Sequence, residues 1–408
     1  MAETAATPAT LTLRQAFEAA WSRQPEWAAL SARREAALAR QHAAQSWTPE
    51  PVSVELLGKT DRLNRNRGTR EVDAGIAIPL WLPGERGRTV ALAQAEGRAV
   101  ESRVQAAQLR VAATVREAWW NWQRARADAD TARGQLDNTQ RIAADVAKRL
   151  QAGDLARADQ HQADGAVAAA EAAMAQATAA VIVAGQHLRA LTASVTAPVT
   201  ASTTPSPGPD LQGSRVDPSA EPDPGAAETN LDTHGELLAL QDRASVVAGE
   251  AAVAATRSRA NPELTIATTR DRGNHAEAWQ QTFTVGVRIP FGGGPRHDAR
   301  TAAARAEAIE LQAQLDLERA RLAGVRDAAR ARTDAARMQL AAADRRAQLA
   351  RESRGFFDKS FRLGQTDLPT RLRIEAEAAE AERQAARSRI ELAATISAWR
   401  QALGLLPP

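Results

Sequence analysis

The segment Gly75-Ile76-Ala77-Ile78-Pro79-Leu80 returns 211 positions later as Gly286-Val287-Arg288-Ile289-Pro290-Phe291. Pro25-Glu26-Trp27-Ala28-Ala29-Leu30 is echoed 210 positions on by Gly235-Glu236-Leu237-Leu238-Ala239-Leu240. Gly153 matches Gly364, and Arg189-Ala190-Leu191 matches Gln401-Ala402-Leu403 near the end of each half. Landmarks that hold one offset along a chain mark a duplication, so two copies of one architecture are expected. The first repeat occupies residues 1–193 and the second 231–408. Residues 194–230 between them hold Pro198, Pro205, Pro207, Pro209, Pro218, Pro222 and Pro224 among Ser, Thr, Gly and Asp. That composition reads as an extended or disordered linker.

Within each repeat the hydrophobic period changes in the same order. Residues 11–47 read as helix with a break near Pro25. Val72, Ala74, Ile76, Ile78 and Leu80 then alternate with Glu71, Asp73, Gly75, Ala77 and Pro79, a period of two that predicts a strand over 71–81. Val52, Val54 and Leu56 give a shorter strand over 51–59, and Asp61–Gly68 is the loop between them. In the second repeat the helix spans 231–259. Leu264 and Ile266 mark a strand over 262–270, Asp271–Ala276 the loop, and Trp279 to Phe291 the cleanest alternation, over 278–291. Each repeat therefore carries one hairpin. Long helices follow: 85–152 with 155–193 in the first repeat, 297–363 with 367–403 in the second. The leading member of each pair has no proline and spans roughly 100 Å at the helical rise. No compact domain needs so long a rod.

Composition agrees and removes other classes. Aromatics are 4% of the 408 residues, with Tyr 0, too few for a large compact core or an aromatic-lined pocket. Alanine dominates long tracts, and Arg carries nearly all the positive charge, as in long packed helices. Basic and acidic residues, 52 against 49, are interspersed along the helices, which argues against a nucleic-acid face. With Cys 0, disulfides and thiol chemistry are excluded. His42, His161, His187, His234, His275 and His297 share no ligand spacing, and Met174 and Met338 stand alone, so no metal site is assigned. Neither a catalytic Ser/His/Asp set nor a phosphate-binding loop can be placed, so no enzyme activity and no cofactor are expected. Trp119, Trp120 and Trp122 form the one aromatic cluster, read as helix packing in preference to a ligand platform. No transmembrane helix is expected, and residues 1–10 lack the features of a signal peptide.

Four strands per chain are too few to close a barrel. Strands of about ten residues with one apolar face are long enough to cross a bilayer when tilted. Hydrocarbon tolerates no open sheet edge, so strands of this kind in a membrane require several chains. A soluble sheet capping a helical rod is the other reading of the same pattern.

The order helix, hairpin, long helix pair, given twice, resembles the TolC-type outer membrane efflux factors. Leu11 to Ala20 followed by Gln24-Pro25 resembles the family's opening segment. Gly286 to Arg296, like Gly75 to Arg88, resembles its strand-to-helix junction. Gly364 to Leu372 resembles the turn at the periplasmic tip, and Ala402-Leu403-Gly404 the closing helix. The resemblance covers essentially the whole chain and implies a mainly α fold with a β-barrel part. Three chains would give four strands each to a twelve-stranded transmembrane barrel, continuous with a periplasmic α-helical barrel. It implies a homotrimer in the outer membrane, surrounded by its lipid, with a periplasmic adaptor (membrane fusion) protein and an inner-membrane pump as partners. Its function would be that of a passive exit duct, reached after removal of a signal peptide. The turn Gln365-Thr366-Asp367-Leu368-Pro369 leans toward members serving heavy-metal resistance-nodulation-division pumps. The N-terminal Cys of lipid-anchored members is missing here.

On this reading Gln280, Thr282, Thr284 and Arg288 face the barrel lumen and the alternate apolar residues face lipid. The family's tunnel narrows just past the turn glycine, often at a pair of aspartates. Carried residue by residue from Gly364, those positions are Thr370 and Arg373, so a ring of Arg373 would make the throat positive. Asp367 and Arg371, with Asp154, Arg157 and Asp159 in the first repeat, are candidates for inter-helix ion pairs that hold the tip shut. The same charges also suit a plain solvated helix face. A soluble periplasmic coiled-coil adaptor or scaffold would explain the rods and the alanine, though not two matched amphipathic hairpins.

Overall fold

The computed structural model describes residues 11–64, 66–192, 221–225 and 230–408. Along the chain run α1 (Leu13–Trp21), α2 (Pro25–Ala28), α3 (Leu30–Ala44), β1 (Ser53–Thr60), β2 (Arg70–Pro79), α4 (Glu85–Ala152) and α5 (Arg157–Thr192). They are followed by α6 (Gly235–Thr256), β3 (Glu263–Arg272), β4 (Gln280–Arg288), α7 (Pro295–Arg362) and α8 (Leu368–Ala402). Two compact units result, one of residues 29–105 and 235–319, the other of residues 1–28, 106–234 and 320–408. Helices α4 and α7, 68 residues each, contribute to both.

In the first of these units the strands form one antiparallel sheet in the order β1-β2-β3-β4. The two hairpins come from different repeats and meet at β2 and β3, with Ile76 opposite Ile266. Where β2 leads into α4, Glu85 is fully buried. Its carboxylate accepts from the Leu82 N–H at 3.1 Å, Arg257 Nε at 2.6 Å and Asn261 Nδ2 at 2.7 Å. A carboxylate in the first helical turn also meets the positive end of the helix dipole. One side chain thus ties the β2–α4 junction to the α6–β3 junction. The second junction uses glycine in place of charge. A Cβ on Gly292 would lie 2.9 Å from Arg259 Cβ, so the backbone approach there admits no side chain. Pro290 has no N–H for a ladder, and β4 ends at Arg288, short of the 291 that the alternation alone suggests.

The other unit is helical. Trp119, Trp120 and Trp122 are buried, Trp119 and Trp122 meeting edge to face at 5.8 Å. Ala343 and Ala347 of α7 pack against Ala381 and Ala385 of α8. Side chains this small let two helices approach closely. Toward the two turns, Ile142, Val146, Ala163, Phe361 and Leu368 gather into one cluster drawn from α4, α5, α7 and α8.

Three features depart from the sequence reading. The helical stretch expected over 11–47 does break near Pro25, but into three helices and not two: α1 opens with a capping box between Thr12 and Gln15, Pro25 starts the short α2, where a missing N–H costs nothing, and α3 follows. Most of the linker 194–230 lies outside the described residues, but Glu221 does not behave as a linker residue. Its side chain is 0% exposed between Arg116 and Arg400, with Arg116 Nε at 3.1 Å, and it accepts from Ser397 Oγ. A proline-rich composition describes the backbone and is silent about one buried acid. Finally, α5 carries a window of 18 residues apolar enough, by length and composition, to cross a membrane, contrary to the expectation of no such helix. Alanine supplies that hydropathy while offering little bulk, which is why the segment does not read as a span by eye.

Candidate functional site

Two places in the chain have a geometry that calls for function. The first is the sheet. Residues opposite one another in an antiparallel ladder share a face, so the register sorts the side chains. Val54, Ile76, Ile266 and Val285 form one row across all four strands, and Leu56, Ala74, Thr268 and Phe283 the next. On the opposite face lie Glu55, Gly75, Ala267 and Thr284, then Leu57, Asp73, Thr269 and Thr282, then Lys59, Glu71, Asp271 and Gln280. Gln280, Thr282, Thr284 and Arg288 therefore share the polar face, where Arg288 pairs with Glu263 at 3.5 Å. The apolar face is uncovered: Phe283, Val285 and Val287 are 75%, 71% and 57% exposed. A water-soluble chain does not leave such a face open without a use for it.

The second place is the pair of turns. Gly153 and Gly364 both adopt positive φ, 85° and 73°. Each closes its helix in the same way. The Gly153 N–H reaches Leu150 O and the Asp154 N–H reaches Arg149 O, and the Gly364 and Gln365 N–H groups reach Phe361 O and Ser360 O. This is the glycine C-cap, available at no steric cost only to a residue lacking Cβ. Past the second turn, Arg371 of α8 spans three helices. It binds Asp145 of α4 at 3.3 Å and Asp358 of α7 at 2.8 Å, and lies 4.5 Å over the ring of Phe361. Arg149 of α4 covers the same ring at 4.6 Å and donates to the Phe361 carbonyl. Phe361 is 2% exposed between the two guanidiniums.

One helical turn further on, Arg354 of α7 reaches Glu375 at 3.4 Å and Glu382 at 3.2 Å, both on α8. Burial pushes the Glu375 carboxyl above its ordinary value, against the pull of Arg354. These groups line an open groove of about 1130 Å³.

The other sequence candidates sit differently. Asp159 accepts the Ala156 N–H at 2.9 Å and so caps α5. Asp154 and Arg157 are exposed. Asp367 stands at the N-cap of α8 without a side-chain cap bond, Thr370 is half-buried, and Arg373 pairs with Glu377 on its own helix at 2.6 Å. Asp145, Asp358, Arg149, Phe361, Arg354 and Glu375 were not singled out from sequence. Helical spacing could have found part of the set, since Asp145 and Arg149, four apart, share a face, but pairing across three helices needs the fold. Among the described residues no group of three His, Asp or Glu side chains is placed to hold a metal.

Residues 16–194 match the family model described as outer membrane efflux protein. No curated protein matches the chain in sequence. Among solved structures, the outer membrane protein VceC from Vibrio cholerae is similar with TM-score 0.74 at 16% identity, over 97% of each chain. CusC, described by its folding and transmembrane channel formation, is similar with TM-score 0.74 at 17% identity, over 97% of this chain and 93% of its own. The open state of the Neisseria gonorrhoeae MtrE outer membrane channel gives 0.72 at 15%, over 96% and 89%. The first repeat thus matches the outer membrane efflux protein model, and the fold of the chain is shared from end to end with these outer membrane channels.

Proposed function

We propose that three copies of this chain form the outer-membrane exit duct of a tripartite efflux pump, passing cargo from an inner-membrane pump and a periplasmic adaptor to the outside. One observation carries the reading. The four-stranded sheet is apolar on one face and polar on the other, and β1 and β4 are its unpaired edges. In hydrocarbon those edges must be sealed, and the partner with matching edges is another copy of the same sheet. Twelve strands from three chains then enclose a lumen faced by Gln280, Thr282, Thr284 and Arg288. An adaptor lying wholly in water has no use for the exposed Phe283, Val285 and Val287.

The same symmetry gives α5 a partner. Ile182 and Val183 are exposed on it, 57% and 70%, and in the duct they pack on the neighbouring copy. At the turns, Arg371 with Asp145 and Asp358 is the lock, and Arg373, exposed beside Glu377, faces its two symmetry mates across the throat. Asp367 and Thr370 lie beside the lock without belonging to it. Heavy-metal cations are the cargo toward which the Gln365–Pro369 turn leans, and loss of metal resistance on deletion of the gene is the check. The duct performs no chemistry of its own.

Val285→Arg places a charge in lipid, at about 2–4 kcal/mol near mid-membrane, whereas Thr284→Arg places it in water. The expected result is a detergent-extracted trimer for Thr284→Arg and none for Val285→Arg. Equal assembly of both variants overturns the sheet's orientation.

A further inference from the structure

The sheet has one feature that lipid tails do not account for. At the end of the sheet where the hairpin loops lie, the apolar face carries Arg70, Arg270 and Arg272. Arg70 and Arg272 are direct partners in the ladder, and Arg270 lies two residues along the same strand on the same face. Like charges placed opposite one another destabilise a sheet. Nothing nearby on that face offsets them. The acids at this level, Glu71 and Asp271, point to the polar face, where Glu71 is taken by Lys59 at 3.0 Å. Among the described residues no carboxylate lies within ion-pairing distance of any of the three guanidiniums.

Two of them are instead held by an aromatic ring. Trp279, on the same face just before β4, has Arg272 Cζ at 5.0 Å and Arg270 Cζ at 5.3 Å from its centroid. Arg272 Nε is out of reach of solvent and has no hydrogen-bond acceptor. The loops behind are braced against each other. Thr69 Oγ1 donates to Gly273 O at 2.9 Å, and the His275 N–H donates to Arg67 O at 3.2 Å. A Cβ on Gly68 would collide with His275 at 2.5 Å, so the two loops are fitted to one another. The cations stand on a fixed frame.

We propose that Arg70, Arg270 and Arg272 form a docking site on the outer wall of the barrel for the phosphate groups of a phosphorylated glycolipid in the leaflet beside the loops. The inference rests on the barrel reading above, which turns the apolar face outward. Guanidiniums bind phosphate with paired, charge-assisted hydrogen bonds. Trp279 sits where interfacial tryptophans sit, with its ring at headgroup depth. Three copies per duct would give a cationic collar immediately above the apolar band, and the lipid supplies the anion that the ladder lacks.

The test uses the full chain purified as a trimer in mild detergent, with its melting midpoint followed during titration of three probes. These are a bis-phosphorylated lipid A, its dephosphorylated counterpart and inorganic phosphate. The phosphorylated lipid is expected to raise the midpoint, while the other two leave it in place. One arginine beside an anionic surface is worth about fivefold in affinity. Each single Arg→Gln change should therefore weaken the apparent affinity by about fivefold, and R70Q/R270Q/R272Q by about a hundredfold. The triple lysine variant keeps the charge and should keep most of the shift, which separates a charged site from a packing defect. Should the triple glutamine variant fail to assemble, the lysine variant and the dephosphorylated lipid decide the matter. An equal shift with the dephosphorylated lipid or with inorganic phosphate overturns the site, as does an undiminished shift in the glutamine variant. A chain that never forms a detergent-bound trimer overturns the duct and the collar together, whereas a sound trimer indifferent to the lipid overturns the collar alone.

Discussion

The turn between α4 and α5 and the turn between α7 and α8 are copies of one device. Both end a 68-residue helix at a glycine with positive φ, and both satisfy the last carbonyls with the same pair of backbone bonds. Beyond the glycine they part. The first turn continues into Arg157, exposed, and Asp159, which closes its own helix cap. The second continues into Leu368, buried in the common cluster, and Arg371, which ties α8 to α4 and α7. Duplication preserved the backbone solution, because the αL position constrains any chain that must reverse there. Charge was free to diverge, and it concentrated in the second copy. On the proposed reading, a duct that closes at its tip needs a lock that can release without unfolding the turn, and ion pairs around one buried ring would supply that more readily than the turn backbone does.

The largest expected effect lies at that ring. Phe361→Ala removes the side chain clamped by Arg149 and Arg371 and should cost about 3–5 kcal/mol locally. Leu150, its counterpart in the first repeat, is half-buried, and Leu150→Ala should cost roughly half of that or less. Hydrogen exchange at residues 142–150 and 358–372 would measure both. Comparable protection in the two variants would mean that the asymmetry is not built on packing.

Arg371→Ala comes next. Its side chain is 13% exposed, while its partners Asp145 and Asp358 are 41% and 29% exposed, so the loss is nearer about 1–2 kcal/mol than the full cost of a buried pair. Single-channel conductance in planar lipid should rise for Arg371→Ala and stay at the wild-type level for Arg157→Ala. The reverse order would move the lock to the first turn.

The neighbouring Arg354–Glu375–Glu382 set gives the second turn a pH dependence. Burial raises the Glu375 carboxyl above its ordinary 4.5. On the proposed reading, a closed tip that keeps Glu375 buried holds that proton more tightly than an opened tip with Glu375 in water. The proton's contribution to closure is complete below 4.5 and is lost as pH rises through the raised value. Conductance should climb as pH rises above about 4.5 and through the raised value, and Glu375→Gln should flatten that climb. A Glu375→Gln profile parallel to wild type would assign the pH dependence to another group.

How much of this was legible beforehand differs between the two regions of the chain. The sheet was legible, because a period of two states which face a side chain takes wherever the strand pairs. Val285 and Thr284 could be sorted before any fold was known. The α7–α8 turn is visible through Gly364, and Arg371 stands beside it as one charge among several. Its partners are not visible, because an alternation along one helix carries no record of which other helices lie alongside. Asp145 precedes Arg371 by more than half the chain. Glu221 shows the same limit from the other side: a segment rich in proline gave no hint that one of its acids is enclosed by Arg116 and Arg400.

The smallest effect separates two aspartates that look alike in sequence. Asp159 and Asp367 each lie near the start of a return helix, and each could have joined an inter-helix pair. Asp159 accepts the Ala156 N–H, a bond that fixes the first turn of α5, so Asp159→Ala should loosen that turn by about 0.5–1 kcal/mol. Asp367 occupies the N-cap of α8 and makes no side-chain cap bond there. Its helix is started instead by Pro369 close behind it and by the buried Leu368. Asp367→Ala should therefore leave amide exchange in the first turn of α8 and the conductance of the duct unchanged. If instead Asp367→Ala opened the duct while Asp159→Ala left α5 unaltered, the acid would be contacting a neighbouring copy across the throat. The lock would then belong to the trimer and not to the single chain.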